Sequence, residues 1–76
     1  MNLEEMQSRC PDELASLRAC AQQMWEKMTR GQKALLRMGM TDVAIHNEMV
    51  EIGFTDHQAC ALALYECAKR DGGMIA

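Results

Sequence analysis

The chain has 76 residues, 49% of them hydrophobic and 25% charged, with a formal net charge of −3. That is one domain's worth of chain, too apolar to be disordered and close to the size at which a single core just suffices. The mild negative charge argues against general nucleic-acid affinity, and no apolar run is long enough to span a membrane. There is one Trp, one Tyr and one Phe against eight Met, so Leu, Met, Ala, Ile, Val and Cys must build the core.

Leu3, Met6 and Cys10 have helical spacing, which leaves room for an extra short helix over 2–9. Pro11 then suits the first position of a new helix, and Asp12 and Glu13 suit its positive end. Leu14, Leu17, Ala21, Met24 and Met28 follow at spacings of 3, 4, 3 and 4, a narrow apolar stripe on a helix over about 11–28. With Trp25 beside Met24, this stripe is longer than a small domain needs and is expected to pair with a copy of itself or with a partner protein. The competing expectation is that it is simply the internal core.

Thr29 and Gln32 have the form of a capping box that starts a helix over 30–38. Gly39 ends it, and Thr41 is expected to cap the next helix, over 42–52, with Ile45, Met49 and Ile52 on one face. Gly53 ends that helix. Thr55, with Gln58 as its box partner, is expected to cap a last helix over 56–70, and 72–76 reads as a mobile tail. Residues 59–65 carry no charge and several small side chains, so this last helix should be the buried one around which the others pack. The fold class is all-α, a compact bundle of four helices with the optional short one in front, in a single domain over 1–76.

Residues 35–42 and 49–56 share one pattern at an offset of 14: apolar, apolar, charged, apolar, Gly, apolar, Thr, Asp. Both copies read as the same device for stopping one helix and starting another. Each holds an apolar residue, Met40 or Phe54, in a tight turn.

The chemistry-bearing residues form no complete set. His57 and Cys60 are three apart, but a Cys/His metal site needs about four ligands. Glu48 and Glu51 read as a solvated face. There is no phosphate loop and no nucleophile with an orienting group. No cofactor, metal or catalytic residue is therefore expected. Cys10, Cys20, Cys60 and Cys67 sit in helical patterns without a leading apolar signal run, which favours reduced thiols and a cytoplasmic setting.

Lys27, Arg30, Lys33 and Arg37 form a basic stripe, followed by the acidic run Asp42, Glu48, Glu51 and Asp56. The surface should be dipolar. The stripe offers an electrostatic contact, and a DNA-binding regulator of helix-turn-helix type is the alternative it raises. The helix from Asp56 is too apolar for a DNA groove.

The segment Leu35-Leu36-Arg37-Met38-Gly39-Met40-Thr41 resembles the first turn of ubiquitin-associated (UBA) domains, three-helix modules with a Met-Gly-Phe/Tyr loop. Gly53 then falls where their second loop lies. A second register places Ile52-Gly53-Phe54-Thr55 and Gln58-Ala59 on the same loop. The resemblance covers residues 30–68, and Met40 stands where the family carries an aromatic residue. It implies a protein-binding surface at Met38, Gly39 and Met40 with Leu64 and Tyr65. The reading that follows is a non-enzymatic protein-binding module, an adaptor or a small inhibitor, including one that blocks a nucleic-acid-binding enzyme. Its partner-binding residues would be Met24, Trp25, Met28, Met38, Met40 and Tyr65. A structural homodimer is the remaining alternative.

Overall fold

Oxygen-bearing side chains start four of the five helices. The computed structural model describes residues 2–73: α1 (Leu3–Arg9), α2 (Pro11–Lys27), α3 (Arg30–Arg37), α4 (Val43–Ile52) and α5 (His57–Arg70), with no strand among them. Asn2 accepts from the Glu5 amide at 2.8 Å. Thr29 accepts from the Gln32 amide at 3.2 Å, and the Gln32 side chain accepts from the Thr29 amide at 3.0 Å, completing the expected capping box. α2 has no side-chain cap, but Pro11 at its start removes a donor that would otherwise need one.

Two caps differ from expectation. Asp42, not Thr41, accepts from the Ile45 amide at 2.9 Å. Asp56, not Thr55, accepts from the Ala59 amide at 3.0 Å. Each threonine lies in the link between the turn and the cap, and the aspartate brings a full negative charge to the positive helix end.

The stops are as the glycines imply. Gly39 and Gly53 have φ of 72° and 97°, a region open to glycine at little cost. The amides of Met40 and Phe54 reach back to the carbonyls of Leu35 and Met49 at 2.9 and 3.0 Å, the pattern of a Schellman stop. The same bond recurs from Gly73 to Ala68 at 3.1 Å. Gly72 and Gly73 therefore take part in closing α5, and 74–76 of the expected tail lie outside the described residues.

α5 is the hub, in contact with each of the other four helices. Ala59, Cys60, Ala63, Leu64, Cys67 and Ala68 bury its inner face. Their small side chains let α2 lie close along it. Leu14, Leu17, Ala21, Met24, Trp25 and Met28 of the α2 segment are all buried in the same core. This overturns the expectation of an exposed seam: Trp25 is 1% exposed, Met24 2% and Met28 7%. The stripe is the intramolecular core because α5 is apolar and small enough to cover it fully.

Trp25 is held from several sides. Its indole N–H donates to the Asp71 carboxylate. Lys33 Nζ stands 5.2 Å and the Arg37 guanidinium 5.9 Å from the ring centroid, within reach of a cation–π attraction. Arg18 forks onto Glu66 with two 3.0 Å bonds, tying α2 to α5 at the surface. α4 is the least anchored helix. Ile45 and Met49 point inward, but Ile52 is 47% exposed, since the helix end passes beyond the core it was expected to line. No helix among the described residues is long and apolar enough to cross a membrane.

Candidate functional site

The turn after α3 places apolar side chains in solvent. Gly39 bends the chain back, and Met38 and Met40 on either side of it are 47% and 49% exposed. The turn is pinned from outside its own backbone: the Tyr65 hydroxyl on α5 donates to the Gly39 carbonyl at 3.1 Å. Val43, at the start of α4, extends the apolar surface at 75% exposure. On its other side Tyr65 lines, with Leu3 and Leu62, a hollow of about 540 Å³ edged by Glu4, Glu66 and Lys69. Tyr65 thus joins the turn to the outer face of α5 and the start of α1.

Of the six expected partner-binding residues, the structure brings Met38, Met40 and Tyr65 together. Met24, Trp25 and Met28 are withdrawn into the core, so they offer no surface. Leu64, expected beside Tyr65, is fully buried on the inner face of α5. Val43 and Val50 were missed. They stand seven residues apart on α4 and are exposed, a spacing that puts them on one outward face.

The basic stripe divides. Lys27 and Arg30 are exposed, whereas Lys33 and Arg37 are half-buried over Trp25. Arg37 also donates to the Asp71 carbonyl at 3.4 Å. Half of the stripe therefore serves the fold.

The thiols are poorly placed for chemistry. Burial pushes Cys60 up to about 11, and its neighbour Cys20 adds to the effect. Burial also raises Cys67, against the opposing pull of Arg70. A thiol held protonated is a weak nucleophile and a weak metal ligand. The four cysteines are unpaired. Among the described residues no three or more His, Cys, Asp or Glu side chains converge as a metal site. The His57 ring meets the His46 ring edge-on, with centroids 4.2 Å apart.

No family model matches this chain. No curated protein and no solved structure matches it either. The surface must therefore be read from its own chemistry.

Proposed function

We propose that this chain is a non-enzymatic protein-binding module that seats a partner protein on Met38, Gly39, Met40 and Tyr65. One observation carries the reading: two half-exposed methionines flank a glycine turn that a tyrosine hydroxyl holds in place. Methionine adapts its shape to a partner, and an ordered turn presents it at little entropic cost. The arrangement also supports the UBA resemblance, in which the first glycine turn lies against the third helix of the module. Met40 stands where that family carries an aromatic residue, so the partner need not be ubiquitin itself. The engagement of Lys33 and Arg37 over Trp25 favours a protein partner over nucleic acid. An adaptor or a small inhibitor acting by contact, including one that occupies a nucleic-acid-binding enzyme, is the role this surface suits.

The test compares the wild-type chain with Met38→Asp combined with Met40→Asp, both at exposed positions. Purified ubiquitin is titrated into each, and partners are captured from the source cell. A partner held by the wild type and lost by a folded double variant supports the reading. Equal capture by both, or retention of DNA alone in a salt-sensitive manner, refutes it.

A further inference from the structure

A second concavity shares no residue with that surface. It lies between α2 and the α4–α5 turn and has a volume of about 460 Å³, within the range of roughly 300–1,000 Å³ typical of ligand sites. Met6, Leu17, Cys20, Phe54 and Ala59 form its apolar walls. Asp12, Glu13 and Asp56 supply its charge, and no lysine or arginine lines it. The N-terminal ends of α2 and α5 also face the cleft, and each brings a partial positive charge of about half a unit. Asp56 is engaged as the cap of α5, and the two full carboxylates of Asp12 and Glu13 still outweigh two half charges, so the cleft is net negative.

We propose that this cleft binds a basic, apolar segment of a partner protein. One large apolar side chain of that segment lies between Leu17 and Phe54, and arginines or lysines flanking it meet Asp12 and Glu13. The two features act differently. The apolar walls supply affinity by burying surface, and the carboxylates select the sign of the flanking charge. An acidic segment of the same shape is rejected, because it would bring like charges to the rim. With the methionine surface elsewhere, the chain would then hold two partners, or two parts of one, at once.

The experiment titrates the full chain with two synthetic hexapeptides and follows backbone amides by NMR. Both have a central leucine–phenylalanine pair; one is flanked by arginines, the other by glutamates. The arginine peptide is expected to shift the amides of Ser16, Cys20, Phe54 and Ala59 and to bind at least tenfold tighter than the glutamate peptide. Added salt should narrow that ratio. Asp12→Asn with Glu13→Gln should weaken the arginine peptide at least threefold. Ser16→Trp, at an exposed position on the wall, should block it, and Met38→Asp with Met40→Asp should leave it unchanged. Equal affinity for the two peptides, shifts centred on Met38 to Met40, or no shift at millimolar peptide would each overturn the proposal. If Ser16→Trp fails to fold, the Asp12 and Glu13 variant decides alone.

Discussion

Replacing Met24 and Met28 together by glutamate should unfold the protein at neutral pH. Both side chains are almost fully buried, at 2% and 7% exposure. Losing each methionine's burial costs about 1.5–3 kcal/mol, so about 3–6 kcal/mol for the pair. Each new carboxyl must also be kept neutral or buried as an ion. Holding a glutamate protonated at pH 7, against an ordinary value near 4.3, costs roughly 3–4 kcal/mol. The sum is about 9–14 kcal/mol. A domain of 76 residues is stable by only about 4–11 kcal/mol at typical values per residue. The pH dependence has a definite sign. A buried glutamate has its folded value raised, so the folded state keeps its proton longer. The penalty is absent below about pH 4 and grows as pH rises toward the raised value. Far-ultraviolet circular dichroism should show a largely unfolded double variant at pH 7 that regains part of its helix near pH 4. Sedimentation shows whether the wild type is a monomer. A double variant with the native helical spectrum at pH 7 would refute the burial of this stripe.

Two glycines should respond in opposite directions. Gly53→Ala should destabilise by about 1 kcal/mol, because φ is +97° and an added Cβ meets no atom within 4 Å, leaving backbone strain as the whole effect. Gly31→Ala should stabilise by about 0.4–1 kcal/mol, since it lies within α3 and its new Cβ meets only the Thr29 hydroxyl at 3.9 Å; thermal melts of both decide. With a chromogenic disulfide reagent at pH 8, the partly exposed Cys10 and Cys20 should react first and Cys60 only on unfolding. Stability should be flat in pH as far as Cys60 is concerned up to about 9 and then fall toward about 11, as the unfolded chain loses that proton first; a Cys60→Ala variant that keeps the same alkaline slope would disprove the assignment. Glu66→Gln should cost under about 1 kcal/mol, because the Arg18 pair is 45% and 43% exposed, and a larger loss in urea titration would mean that the fork does more than tie the surface.

The helix stops were readable because glycine is nearly alone in accepting positive φ, and Gly39 and Gly53 each follow an apolar run. The caps were less so. Thr41-Asp42 and Thr55-Asp56 each put two cap-forming side chains side by side, and only the length of the preceding turn decides between them. The α2 stripe was visible from its spacing, but its destination was not. Whether Trp25 meets solvent depends on what α5, Lys33, Arg37 and Asp71 do around it, and those residues lie well apart in the chain. The methionine turn was found through its motif. Val43 and Val50 were missed because isolated apolar residues on a short helix look the same whether they face in or out.

The hub of the bundle comes fifth in chain order. α1 packs on α2, but α2, α3 and α4 made before it on the ribosome lack the α5 surface they pack against, and the contacts between α2 and α5 join residues such as Arg18 and Glu66 that are 48 positions apart. Folding must therefore wait for synthesis to pass Arg70. Until then the Leu14 to Met28 stripe is exposed to whatever binds apolar helices on nascent chains. A released chain truncated before Ala59 should be protease-sensitive, while the released full chain should be resistant.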